Sequence, residues 1–182
     1  MRKALLLVLL LLPQTALAAP TPQKVDSEEQ LFADLAKAES QEEAQPIEDK
    51  LGSFFKVSGS ASVDLLMSRA GSALAAADHD TARKLIDAVT RVAPNYAEGW
   101  HQRAQLQAAA NDEAGAMLSL QKTIAINPRE FAAMAELAGM LEVYGDKPGA
   151  LKLYRRVLAL DPQSGVARTE KALEKEVEGQ GI

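Results

Sequence analysis

The chain has 182 residues, 47% of them hydrophobic, 4% aromatic and 25% charged, with a net charge of −5 and no cysteine. Without cysteine there is no disulfide, no thiolate metal site, no cysteine nucleophile and no lipid-modified cysteine. The acidic balance argues against nucleic acid as a partner, because phosphate binding needs a basic face.

Residues 1–18 read as a secretory signal peptide. Arg2 and Lys3 precede an apolar run from Ala4 to Leu12, followed by Pro13 and the small-residue sequence Ala16, Leu17, Ala18. As a helix this run would rise about 13 Å, far short of a ~30 Å hydrocarbon core, which argues against a membrane anchor. Cleavage after Ala18 would remove two cations and take the net charge from −5 to −7. The expected location is the periplasm, with an extracellular one as the alternative. Residues 19–26 are polar and proline-rich, and their composition predicts disorder.

Residues 27–57 predict a divergent helical hairpin. Ser27 stands three positions before Gln30 as a helix cap does, and Leu31, Phe32 and Leu35 share the next apolar face. Ser40 and Glu43 repeat the capping pattern, ahead of an apolar stripe of Ile47, Leu51, Phe54 and Phe55. Pro46 lacks an amide donor, so the regular part of this second helix is expected to begin near Gln45. The hairpin is expected to pack on the helical unit that starts at Val63 and close its open end. The alternative makes Phe32, Phe54 and Phe55 a dimer surface or a tether.

From residue 63 the chain repeats. Pro94, Pro128 and Pro162 lie 34 residues apart, and registers begun at Val63, Ala97 and Phe131 align small residues with small and large with large. Ala70, Ala104 and Ala138 fall together, as do Ala82, Ala116 and Ala150, each set where two helices could approach closely. Leu66, Trp100 and Met134 coincide, and so do Ile86, Leu120 and Tyr154. Polar breaks at AADHDTA, AANDEAG and VYGDKPG divide each unit into helix, turn, helix, and Asn111 and Gly145 suit the left-handed turn that ends a helix. Each proline disfavours helical backbone in the residue before it, so Ala93, Asn127 and Asp161 mark where second helices stop. Residues 163–178, with Val166, Leu173 and Val177 on one side among charged neighbours, predict a solvating cap helix.

This pattern resembles the tetratricopeptide repeat family, on AEGWHQRA at 97–104, the paired Ala104 and Ala116, INP at 126–128, FAAMAELA at 131–138 and LDP at 160–162. Arg69, Ala73, Arg103 and Gln107 depart from the leucine and large aromatic that the family prefers. The resemblance implies an all-α, right-handed α-solenoid of three helical hairpins (63–96, 97–130, 131–162), with the N-terminal hairpin and the C-terminal cap at its ends. It also implies a concave groove lined by first helices, which takes a protein or peptide segment. Here the lining would be Asp64, Met67, Gly71 and Leu74, then Glu98, His101, Gln102 and Gln105, then Ala132, Ala135, Gly139 and Glu142.

Some members hold a C-terminal carboxylate with lysine, arginine and asparagine, but the matching places here are Met67, Gly71, Gln102, Ala132 and Glu136. Without a cation there, and with Glu98 and Glu142 in the groove, a neutral, apolar or basic segment fits better than an acidic one. No phosphate loop, dinucleotide fingerprint or nucleophile elbow occurs, and His101 has Gln105, not a ligand, one turn on. The expectation is a binding module in the cell envelope with no catalytic residue, metal or cofactor. The alternative is a self-associating structural protein of the envelope. If Ala104 sits at a helix crossing, Ala104→Leu overpacks it and should lower the unfolding free energy by ~1–3 kcal/mol in urea titrations.

Overall fold

The computed structural model describes residues 27–179, so the proposed signal peptide and residues 19–26 lie outside the described part. The described residues form helices joined by short turns, with no strand among them. α1 (Glu28–Leu35) and α2 (Gln41–Phe55) make the first hairpin. The three units come next, as α3 (Ala61–Ala75) with α4 (His79–Val92), α5 (Ala97–Ala109) with α6 (Glu113–Ile126), and α7 (Phe131–Val143) with α8 (Lys147–Leu160). α9 (Ala167–Gly179) closes the array.

One turn is used three times. Ala77, Asn111 and Gly145 take positive φ of 57°, 59° and 86°, and the residue after each sends its N–H back 2.8 Å to the carbonyl of Ala73, Gln107 or Leu141. This is a Schellman ending, which satisfies carbonyls that the helix terminus would leave bare. The aspartate that donates this bond, Asp78, Asp112 or Asp146, then caps the next helix: its carboxylate accepts the N–H of Thr81, Gly115 or Gly149. At the other end of each unit, Ala93, Asn127 and Asp161 leave helical geometry just before the prolines.

The small residues form the crossings. Ala70, Ala104 and Ala138, and Ala82, Ala116 and Ala150, are all at most 1% exposed. Between units the approach is close enough that a Cβ on Gly99 would lie 2.8 Å from Val89 Cγ1. The larger apolar cluster runs from Ala104 on α5 through Met134 and Tyr154 to Leu173 on α9. Trp100 is half-buried where its register mate Met134 is sealed. Its indole N–H donates 3.0 Å to the Pro94 carbonyl while Arg103 and Lys122 lie over the ring, so the amphipathic side chain serves the rim of the core.

Two expectations are corrected. α2 begins at Gln41 and runs through Pro46, held at its start by Ser40 Oγ, which accepts the Glu43 N–H. The hairpin also does not seal the first unit: its buried residues Leu31, Phe32, Leu35, Ala44 and Leu51 pack on Phe131 and Leu160 of the third. The physical reason is the larger apolar target there, including an edge-on contact of Phe131 with Phe32 at 6.4 Å between ring centres. Leu65 on α3 stays 51% exposed.

Ala77 holds left-handed backbone that strains any Cβ, at a position where the third unit has Gly145. Ala77→Gly should therefore stabilise the protein by about 1 kcal/mol, read as a higher denaturation midpoint with unchanged slope.

Candidate functional site

The candidate site is built on the first helices of the units, α3, α5 and α7. A cavity of about 310 Å³ opens where α3 faces α5. Met67, Ala70, Gly71 and Leu74 line it from α3, and Glu98 and Gln102 from α5. Ser68 of α3, Ile86 of α4, Tyr96 and Lys56 complete the wall. The small residues Ala70 and Gly71 leave the space, and one helical turn between Met67, Gly71 and Leu74 aligns them along it.

Five of the sequence-predicted groove residues, Met67, Gly71, Leu74, Glu98 and Gln102, are thus brought together. The others are not part of that cavity. Asp64 accepts the Ser58 hydroxyl at 2.5 Å and so ties α3 to the segment leaving α2. Ala132 and Ala135 are half-buried on α7, and Ala135 packs against the core. Glu142 accepts the Tyr154 hydroxyl at 3.1 Å beside Gly139, which helps push that phenol up to about 12, burial being the larger cause.

His101 is taken up by two carboxylates. It is buried, with Nε2 3.0 Å from Glu136 Oε1 of α7 and Nδ1 3.6 Å from Glu98 Oε2 one turn back on α5. Gln105 also donates to Glu136, at 3.0 Å, and Gln102 donates to Glu98 at 2.9 Å. Burial alone would pull the imidazolium down, but the hydrogen bonds and charges of Glu136 and Glu98 outweigh it and hold His101 up at about 10. His101 is therefore a cation, clamped between two carboxylates and joining the second unit to the third.

Glu130, 4% exposed beside this cluster, is pushed up to about 7 by burial and by the Glu98 charge, against the pull of His101. Glu136 goes the other way: desolvation opposes its charge, but contact with His101 prevails and lowers it. Sequence reasoning missed Glu130 and the Glu136 contact with His101. The available signal was the period, since Glu136 lies one repeat plus one residue beyond His101, where neighbouring first helices meet.

A second cavity of about 330 Å³ lies between α4 and α5, on the other side of Ile86. Arg103 lines it and is bonded through Nε to Asp87 at 3.0 Å. Here the second unit has Arg103 and Gln107 where the third has Leu137 and Leu141, so the departures from the repeat pattern border the open space. Among the described residues no cluster of metal-ligating side chains and no membrane-spanning helix is present.

No protein-family model matches the chain. A TPR repeat-containing protein of Rhizobium etli is 29% identical over 117 residues. That match covers 64% of this chain and 57% of the relative, so the chain spans little more than half of that protein's length. Among solved structures, the TPR2B domain of yeast Sti1 in complex with pHsp70 aligns with a TM-score of 0.55 at 19% identity, over 66% of this chain and 99% of that one. The Yersinia enterocolitica type III secretion chaperone SycD, bound to a peptide of the translocator YopD, aligns with a TM-score of 0.53 at 14% identity, over 66% and 92%. At these identities the likeness concerns the fold.

The buried charges fix a pH profile. Both shifts are upward, so each group stabilises the fold fully below its ordinary value and loses that contribution as pH rises through the folded one. For Glu130 the loss runs from 4.5 to about 7, and for His101 from 6.5 to about 10. The melting temperature should fall across both windows; Glu130→Gln should flatten the lower one and His101→Gln the upper, by calorimetry at stepped pH.

Proposed function

We propose that this chain, a tetratricopeptide-repeat protein, is an exported binding module that takes a segment of another protein in the cavity between α3 and α5. The observation that carries the reading is the lining of that cavity: apolar walls from Met67, Ala70, Leu74 and Ile86 beside the carboxylate of Glu98. Such a site favours a segment that presents an apolar or aliphatic cationic side chain, because the walls take the stem and the carboxylate meets the head. The Sti1 and SycD structures, each solved with its peptide or protein ligand, support a peptide-binding use of this fold.

A non-catalytic role is in line with the Sti1 and SycD structures, which carry a bound protein or peptide. Arg2, Lys3 and the apolar run after them support export to the periplasm and work in an envelope-associated complex. A self-associating role keeps one observation in its favour. Phe54, Val57 and Leu65 are 45%, 69% and 51% exposed where α2 hands over to α3, while Phe55 packs on Phe32 at 6.3 Å between ring centres. Light scattering across a concentration series separates the two, because a monomer at every concentration eliminates self-association.

Gly71 provides a clean test. A Cβ there meets nothing within 4 Å, and glycine inside a helix is unfavourable by about 1 kcal/mol relative to a residue with a side chain. Gly71→Lys should hold or raise the melting temperature while placing bulk and positive charge in the cavity. Partner capture by the tagged protein from envelope extracts should then be lost, and basic peptides should no longer shift its fluorescence. Capture equal to wild type would move the binding surface elsewhere.

A further inference from the structure

The second helices of the units, α4, α6 and α8, turn one side to the core and the other outward. Ala82, Ala116 and Ala150 mark the inner side, sealed at the crossings. A residue two positions further on lies about 200° round the helix, so Lys84, Leu118 and Lys152 stand away from the core in one register. Lys122 and Arg156 follow one turn later on α6 and α8, and Arg91 lies on the same side of α4. Lys84, Arg91, Lys122 and Lys152 are exposed, Arg156 is half-buried, and Leu118 is 66% exposed in their midst.

This outer side is basic although the chain as a whole carries −5. Among the described residues none of these five cations has a carboxylate within the 4.0 Å of an ion pair. α8 contains no acid, Asp80 and Asp87 of α4 are taken by Arg83 at 2.9 Å and Arg103 at 3.0 Å, and Glu113 lies at the very start of α6. On the first helices the acids are Asp64, Glu98, Glu136 and Glu142. Charge separated in this way turns the basic side toward an anionic surface.

An open furrow of about 450 Å³ runs between α6 and α8 on the same side. Ile124, Pro128, Leu137 and Leu153 give it an apolar lining, and Arg156 stands in its wall. Cations beside an apolar furrow and an exposed leucine match a surface that offers anionic heads on apolar chains. A purely acidic peptide or a nucleic acid would meet the cations but leave Leu118 and the furrow unmatched.

The geometry points to the outer side of α4, α6 and α8 as a docking surface for an anionic phospholipid membrane, with the cations on headgroup phosphates and Leu118 entering between them. The cavity between α3 and α5 reaches the inner side of α4, at Ile86, so docking leaves it open to a partner. The surface stands on its own residues, whatever that cavity binds.

Co-sedimentation with lipid vesicles tests this. Vesicles with about one-third phosphatidylglycerol in phosphatidylcholine should bind the protein at least about tenfold better than phosphatidylcholine alone at ~0.05 M salt, and lose most of that advantage at ~0.3 M. Trp100, the only tryptophan, has Lys122 at 6.0 Å over its ring, so its emission should shift on binding. Lys84→Glu with Lys152→Glu should cost about tenfold or more in affinity with the helical circular dichroism unchanged. Lys37→Glu with Arg69→Glu changes the net charge equally at exposed cations on other elements, and should leave affinity within about twofold. Every variant keeps the same N-terminus, so the difference between the pairs reads this face. Equal binding to both vesicle types would overturn the proposal, and so would equal losses in the two pairs. Displacement from the vesicles by soluble polyglutamate at matched charge would also overturn it, in favour of an acidic protein partner.

Discussion

A helix pair of this size has one apolar stripe and nothing of its own to bury it against. Every feature of the molecule comes from meeting that constraint by stacking. Close stacking needs small residues at the crossings, and the buried alanines of the three units meet the need with almost no exposed surface. Stacking at a constant interval also needs the chain to stop and turn at that interval. Left-handed residues, capping aspartates and prolines supply those stops with backbone and side-chain hydrogen bonds, so the turns leave few polar groups unsatisfied.

Stacking alone would make a one-dimensional molecule. The N-terminal hairpin adds contacts between residues as far apart as Ala38 and Gln163, which a nearest-neighbour array does not have. These contacts couple the exit of the third unit to the chain that enters the first, so the curvature of the array is constrained along one edge. The His101 cluster performs a related task between α5 and α7, where one imidazolium lies between two carboxylates and burial raises Glu130 to about 7. Polar residues at the inner helices therefore divide into two kinds. Those around His101 lock units together, whereas Glu98 and Gln102 also border open space.

Much of the architecture was legible in the amino-acid order. The spacing of Pro94, Pro128 and Pro162 and the alanine registers specify paired helices, and the helices end where Ala93, Asn127 and Asp161 predict. Local chemistry controls such features: a proline without a donor or an aspartate at an N-cap acts within a few residues of itself, and periodicity repeats that action. The alignment of Met67, Gly71 and Leu74 along one cavity was legible, because one helical turn between them places them on one face whatever the neighbours do.

What tertiary structure alone decided lies between residues distant in the chain. The order of residues does not say that Phe32 meets Phe131, or that Gln163 meets Ala38, since hydrophobic burial is non-directional and an apolar hairpin face accepts any suitable surface within reach. Nor does it say that His101 is a clamped cation, because its charge depends on carboxylates brought in from other turns and helices. Sequence determined where the helices begin, end and repeat, through interactions that act over one turn. Packing determined which of their faces are closed, which carboxyl groups keep protons and which cavity stays open, because those depend on desolvation and on charges that only folding brings near.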